Sequence, residues 1–273
     1  MDKVLQSIDL FYKIAKRKSP KVYELEDGFV IHGDSLDPEV IQIIKEIQNK
    51  IPLIVTDPPY GKIVTDEWDN PDLSQTEFAN WLLQILDVYS PLQSKGAAFY
   101  MWGGIGVQNY RPYLEFLAKV DQESDYSLSN LITWSKRRAY GTKNNYLFTR
   151  EEMAYLVKGD NPKKPRKFKV PLLDELRGYE GFDKNYPAKS PYLRRTNVWT
   201  DINEMFSGKL HPTEKPPKLY EIPIEIHTSK NQFVLDMFAG SGPCAVAARN
   251  LGRKFILVER EKKYINVILN KLK

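Results

Sequence analysis

Residues 233–252, FVLDMFAGSGPCAVAARNLG, constrain the fold more than any other stretch. A short apolar run ends in an acid, passes through a loop with two glycines and enters a helix of small residues. Glycines in such a loop permit close backbone approach to a ligand and tight strand–helix packing. The helix start that follows offers free N–H groups. The same alternation recurs along the chain. YELEDGFVIHGD reads as a hairpin around Asp27-Gly28. DPEVIQIIKEIQNK reads as a helix with Asp37 as N-cap and Pro38 in its first turn. Residues 53–56 form a buried strand, LSQTEFANWLLQILDVYSPL an amphipathic helix, GAAFYMWGG a strand, IGVQNYRPYLEFLAKV a helix and LSNLITWSK a strand. KFILVER is a further strand and EKKYINVILNKLK the last helix, while residues 1–18 also carry helical spacing. Alternating strands and helices predict an α/β fold, a Rossmann-like doubly wound and mostly parallel sheet.

The pattern breaks near residue 137. Residues 137–200 are rich in Pro, Lys, Arg, Gly and Tyr and show no sustained periodicity, apart from a short strand expected in REEMAYLVKG. Between Lys136 and Arg195 stand 16 Lys/Arg and 7 Asp/Glu, which leaves the rest of a +5 chain at −4. That concentration is the footprint of a phosphate-facing surface. The chain therefore divides into a catalytic half at 1–136, an irregular basic insert at 137–200 and a cofactor half at 201–273, all within one domain. A helix is expected through YEIPIEIHT, with Pro223 near its start. One cysteine, Cys244, excludes a disulfide framework, and His32, His211 and His227 are too scattered for a zinc site, so no metal is expected. No run reaches the ~20 apolar residues of a membrane span. With no secretory signal pattern, the expectation is a cytoplasmic protein without a membrane partner.

Ligands of a doubly wound sheet sit outside the carboxyl ends of the strands, where strand order reverses. Three such ends carry unusual chemistry: Asp34 after FVIHG, Asp57-Pro58-Pro59-Tyr60 after LIVT, and 236–242 after FVL. In the tetrapeptide, two prolines fix φ and remove two backbone donors. The Asp57 carboxylate and the Pro58 carbonyl can then each accept one N–H of a planar amine, with Tyr60 stacked on its ring. Glu259, at the end of the next strand, is placed to accept both hydroxyls of a ribose. Ala245 replaces the third glycine of a dinucleotide fingerprint, so a nucleoside-type cofactor fits better than a dinucleotide.

These motifs, in this order, resemble the β-class amino DNA methyltransferases, which methylate adenine N6 or cytosine N4 with S-adenosylmethionine. The resemblance runs through HGDSL at 32–36, TDPPYGK at 56–62, EWD at 67–69, NLITWSK at 130–136, REEMAYLVKG at 150–159, NVWTDI at 197–202, HPTEKP at 211–216, DMFAGSG at 236–242 and ILVEREKKY at 256–264. It implies the seven-stranded class I methyltransferase fold. It implies that Asp57, Pro58, Pro59 and Tyr60 hold a flipped base and its amino group. Phe238, Gly240, Ser241 and Gly242 would wrap the cofactor, with Asp236 near its methionine amino group and Glu259 on its ribose. Asp34 would contact its adenine, Ser35 belongs to the same cofactor set, and Thr213 and Lys215 would lie beside its methionine end.

The insert 137–200 would be the target-recognition segment, with Arg137, Arg138, Lys143, Arg194 and Arg195 on DNA. Its tyrosines, Tyr140, Tyr146, Tyr179, Tyr186 and Tyr192, would stack on bases or pack locally. Trp102, Trp134 and Trp199 are expected to be structural. Pro243-Cys244 stand where the family commonly has Thr-Thr. The His-Glu common in the REEMAYLVKG region is replaced by Glu151-Glu152, a region given no catalytic role. Asp rather than Ser before Pro-Pro favours adenine N6. The alternatives are cytosine N4, and a silent nucleic-acid binder, against which the intact Asp57, Tyr60, Gly240, Gly242 and Glu259 speak. Methylation of a protein glutamine is disfavoured by motif order. The resemblance also extends to a homodimer and a cognate restriction endonuclease as partners.

Overall fold

The computed structural model describes residues 19–60, 73–104, 106–140, 143–144, 146–159, 161, 164–176, 192–203 and 214–273. The helix expected in 1–18, the EWD segment, Tyr179, Tyr186 and Thr213 lie outside the described residues.

The strands are β1 (Lys21–Leu25), β2 (Gly28–His32), β3 (Leu53–Thr56), β4 (Ala98–Gly103), β5 (Tyr126–Tyr140), β6 (Phe148–Lys158), β7 (Leu172–Leu176), β8 (Tyr192–Arg194), β9 (Val198–Trp199), β10 (Phe233–Asp236) and β11 (Lys254–Glu259). The helices are α1 (Pro38–Ile47), α2 (Gln75–Tyr89), α3 (Gly106–Glu123), α4 (Lys218–His227), α5 (Pro243–Asn250) and α6 (Lys262–Lys271).

Among the described residues, nine strands form one sheet in the order β1-β2-β11-β10-β3-β4-β6-β5-β9, and β7 and β8 form a separate antiparallel pair. β2, β11, β10, β3 and β4 all run in parallel. β6 enters antiparallel between β4 and β5. The expected seven strands are therefore the central ones, β2 through β5, and two short edges extend them. β1 is the first arm of the hairpin, and β9 adds parallel to β5 at the end of the basic stretch.

Successive side chains of a strand point to opposite faces, so each parallel strand feeds two cores. Leu53, Val55, Tyr100, Trp102 and Val234 pack on one face with Leu219, Ile222, Ala245 and Ile265 of α4, α5 and α6. Ile54, Phe99, Met101, Leu235 and Val258 pack on the other with Val40, Leu82, Leu86 and Phe116 of α1, α2 and α3. Such parallel strands, covered on both faces, are buried along their whole length and mostly apolar, as LIVT and AFYMWG are.

Local chemistry sets the helix starts. Asp37 accepts from the Glu39 N–H at 2.9 Å, with Pro38 in the first turn. Ser74 and Glu77 form a reciprocal capping box on α2. Pro223 lies inside α4 rather than near its start. Gly28 serves a different end from the turn expected of it. The turn is Glu26-Asp27, and a Cβ at Gly28 would lie 2.1 Å from the Phe255 carbonyl oxygen, so glycine lets β2 pass against β11. Trp102, Trp134 and Trp199 are all buried, as expected of structural residues.

Candidate active site

The carboxyl ends of the parallel strands meet in one pocket. Asp34, Ser35, Asp57, Pro58, Pro59, Tyr60, Lys215, Phe238, Gly240, Ser241 and Glu259 all line it. The three segments singled out in the sequence thus converge, at the boundary between β10 and β3 where the strand order diverges. Asp236 and Gly242 stand directly behind that lining. Asp236 is fully buried, and its Oδ1 accepts from the Thr56 hydroxyl at 2.9 Å and from the Phe238 N–H at 3.1 Å. That bond ties the end of β10 to the end of β3. Oδ2 of Asp236 is buried with no partner, as is Oγ of Ser241. Burial raises the Asp236 pKa to about 7.

Gly242 takes φ 80° where the glycine loop turns into α5, a left-handed conformation that costs L-residues about 1–2 kcal/mol. Glu259 spans the mouth of this loop. Its Oε2 accepts from the Gly240 N–H at 2.8 Å and its Oε1 from the Glu261 N–H at 2.7 Å. Each oxygen keeps a further lone pair for a ligand hydroxyl. Burial raises the Glu259 pKa to about 7. Phe78 and Trp81 of α2 and Tyr264 of α6 add aromatic walls that the sequence reading did not assign to the site. Trp81 contacts Phe238 with ring centroids 5.7 Å apart. Asp34 is exposed at the rim, where its carboxylate accepts from the Leu36 N–H at 3.0 Å. Ser35 is buried, and its carbonyl accepts from the Tyr89 hydroxyl at 2.7 Å.

The Asp57 loop is held by a lysine. Lys215 Nζ donates to Asp57 Oδ2, to the Tyr60 hydroxyl at 2.9 Å, and pairs with Glu151 Oε2 at 3.1 Å. Lys136 pairs with the other oxygen of Glu151. The ammonium also sits 5.1 Å from the Tyr60 ring centroid and 5.0 Å from that of Trp102. Burial alone would lower the Lys215 pKa, but Asp57 and Glu151 outweigh it and raise it. Burial raises Asp57, against the pull of Lys215 and with repulsion from Glu151. Burial would also raise Glu151, yet Lys215 and Lys136 together bring it below the usual carboxylate value. Oδ1 of Asp57 is left buried and without a partner. Lys215 therefore lies at the Asp57 loop. Glu151, given no catalytic role from the sequence, stands in the middle of the charge network.

The basic insert is not one surface. Past the level of the pocket, where Glu152 pairs with Gly103, the β5–β6 ladder continues to Tyr140 opposite Phe148. That is four residues, or about 13 Å, beyond the sheet edge on the pocket side. Lys143, Tyr146, Leu147 and Arg150 on this hairpin are exposed, with Tyr146 at 92%. Arg137 and Arg138 belong to β5, and their side chains lie outside the described residues.

Residues 164–170 dock at the opposite end of the sheet. The Arg166 N–H donates to the Gly96 carbonyl just before β4, and the Lys169 N–H to the Ile226 carbonyl at the far end of α4. His227 Nδ1–H donates to the Lys167 carbonyl at 2.7 Å, and its Nε2 accepts from the Tyr100 hydroxyl at 2.9 Å. Burial lowers the His227 pKa to about 4, consistent with a neutral structural ring. Arg194 is exposed on β8. Arg195 is engaged within the fold: it grips Asp201 through two bonds of 2.7 and 2.8 Å and lies 5.9 Å from the Trp199 ring centroid.

Among the described residues, no helix is long and apolar enough to cross a membrane. The chain is 28% identical over 268 residues to the type II methyltransferase M2.LlaDCHI of Lactococcus lactis subsp. cremoris, covering 92% of this chain and 91% of that one. It is 27% identical over 243 residues to the type II methyltransferase M.HpaI of Haemophilus parainfluenzae, covering 85% and 71%. Among solved structures, its fold is similar to that of the PvuII DNA methyltransferase (cytosine-N4-specific), with TM-score 0.68 at 19% identity over 90% of this chain and 86% of that one. It is also similar to the M1.HpyAVI–SAM complex, with TM-score 0.59 at 24% identity over 89% and 98%. Residues 51–270 match the model of the DNA methylase family, and the chain belongs to that family, the N6/N4 DNA methyltransferases.

Proposed function

We propose that the chain transfers the methyl group of S-adenosylmethionine to the exocyclic N6 of an adenine flipped out of DNA. One observation carries this reading. Asp57 has a buried, unpartnered Oδ1, while Lys215 holds Oδ2, and it lines the same pocket as Pro58, Glu259 and the glycine loop. A buried acceptor without a partner calls for a donor, and an amine N–H is such a donor. The adenine assignment rests on Asp, rather than Ser, at position 57.

The residues present fit the cofactor. Glu259 offers lone pairs on both oxygens to a ribose, and Asp236 Oδ2 offers an unpartnered acceptor to an ammonium. Trp81 and Phe238 offer apolar faces to a base. When bound, S-adenosylmethionine supplies an electrophilic methyl group on a sulfonium. The chain's own residues then orient the nucleophile. Asp57 Oδ1 and the Pro58 carbonyl each accept one N–H, which aims the nitrogen lone pair along the transfer line. Tyr60 stacks on the base and offsets part of the few kcal/mol that flipping costs. With the methyl passing from sulfonium to nitrogen and the sulfur leaving as a neutral thioether, the Asp57 carboxylate would stabilise the positive charge that develops on the nitrogen. The surplus amine proton leaves by that same hydrogen bond.

The β5–β6 hairpin, with Lys143 and Arg150, and Arg194 on β8 supply the phosphate-facing charge in this reading. The names of the relatives, both type II methyltransferases, support a restriction endonuclease as functional partner. Homodimer formation is part of the same proposal, and light scattering of the purified chain checks it. The test of the activity is nucleoside mass spectrometry of DNA incubated with the protein and labelled cofactor. Label in N6-methyladenine supports the proposal; label in N4-methylcytosine overturns the base assignment.

A further inference from the structure

Glu151 lies on β6, 94 positions from Asp57 in the sequence and two bonded contacts away in space. Its carboxylate has one oxygen on Lys136 and the other on Lys215. The Lys215 ammonium has three protons, and the three oxygens around it are Asp57 Oδ2, Tyr60 Oη and Glu151 Oε2. The Tyr60 hydroxyl also lies within hydrogen-bond reach of Glu151 Oε2, at 3.4 Å, and interacts with the Asp57 carboxylate. Each of the two elements that handle the target base is therefore tied to Glu151, Asp57 through Lys215 and Tyr60 both directly and through Lys215. Among the described residues, two ammonium groups, Lys136 and Lys215, face two carboxylates, Asp57 and Glu151, in this cluster.

We propose that Glu151 is a positioning residue: clamped by Lys136, it fixes Lys215 so that Asp57 Oδ1 and the Tyr60 ring are held ready for the target amine. This rests on the methyltransferase reading above for its purpose, but not for its geometry. Glu151 also keeps Lys215 from being neutralised by Asp57 alone. Sharing the ammonium leaves more negative charge on Asp57 for the amine. Without Glu151, the ammonium belongs to Asp57, and the carboxylate becomes a weaker acceptor in a less fixed rotamer.

Two variants separate positioning from mere packing. Among the described residues, the groups that face Asp57 are Lys215, Glu151, Tyr60, Asp236, Tyr113 and Tyr220. Among these described residues, Lys215 lowers its pKa by charge, while Glu151 raises it. Carbon-13 NMR titration of Asp57 in the ligand-free protein must then move to lower pH in Glu151→Gln and to higher pH in Lys215→Met. In the loaded enzyme, Glu151→Gln lowers kcat by roughly 10- to 100-fold, the loss expected from displaced support of a reacting group. Its affinity for S-adenosylmethionine stays within about twofold, and Glu151→Asp regains part of the rate. If Glu151→Gln does not fold, Lys136→Gln/Glu151→Gln removes one charge of each sign and is read in the same way. An Asp57 titration that does not move, or moves the same way in both variants, overturns the assignment. So does an unchanged kcat. A wild type that methylates no DNA, with the titration shifts still opposite, would overturn the methyltransferase reading and leave Glu151 as the residue that sets Asp57.

Discussion

Glu259→Gln tests the cofactor half of the site with a change of one atom. In the wild type each carboxylate oxygen accepts one backbone N–H, from Gly240 at 2.8 Å and from Glu261 at 2.7 Å. A glutamine has one acceptor oxygen, so its amide group must face one of those N–H groups, donor against donor. An unsatisfied buried donor costs about 1–3 kcal/mol. The larger loss falls on binding. Hydrogen bonds from a ribose to a charged acceptor contribute about 1.5–3 kcal/mol each. Losing one of them outright and the charge behind the other gives about 2–4 kcal/mol, or roughly 30- to 10³-fold in Kd. The fold survives, because Glu259 has its pKa raised to about 7 by burial and its charge does not stabilise the empty protein. Calorimetric titration of S-adenosylmethionine measures the effect, at a pH above that value so that Glu259 is ionised. A folded Glu259→Gln protein whose Kd rises less than about threefold would refute the placement of the ribose.

Two further outcomes follow from the charges. Burial raises Asp236 from 3.8 to about 7, so the folded chain holds this proton more tightly than the unfolded one. Its contribution is present below its unfolded value and is lost as pH rises towards 7, by about 4 kcal/mol in all. Denaturant unfolding of the empty protein across that window checks this, and Asp236→Asn, which keeps the acceptor for Thr56 and Phe238, flattens the slope while weakening cofactor binding. On the DNA side, Lys143→Ala/Arg150→Ala reduces the slope of log K against log salt by about two. Lys167→Ala/Lys169→Ala leaves that slope unchanged, because residues 164–170 dock at the far end of the sheet. Equal effects of the two pairs, by filter binding or fluorescence anisotropy, would contradict the division of the insert.

What could be read from the sequence is what lies close together in it. Asp57 and the residues after it follow their strand directly, as do Asp236 and the glycine loop, and the strand order then brings both ends into one pocket. Asp37 and Pro38 announce α1 because capping is a matter of a few residues. Glu151 could not be found this way. Its position depends on β6 entering antiparallel beside β4, which sets Glu152 against Gly103 and brings Glu151 over the Asp57 loop. In sequence it is one of two acids opening a strand, with no local sign of Lys136 or Lys215. Phe78 and Trp81 read as the apolar face of a helix, and it is the packing of α2 over the sheet ends that turns them to the pocket. The basic insert looked uniform because composition carries no direction. Backbone bonds from Arg166 and Lys169 to Gly96 and Ile226 decide that part of it faces away.

The most direct test of the central claim is nucleoside mass spectrometry of DNA incubated with labelled S-adenosylmethionine and either the wild type or Asp57→Ala, with cofactor binding measured on both. The expected result is labelled N6-methyladenine from the wild type and none from Asp57→Ala, with cofactor affinity nearly equal. Methylation by Asp57→Ala at the wild-type rate, or no label in DNA from a cofactor-bound wild type, would contradict it.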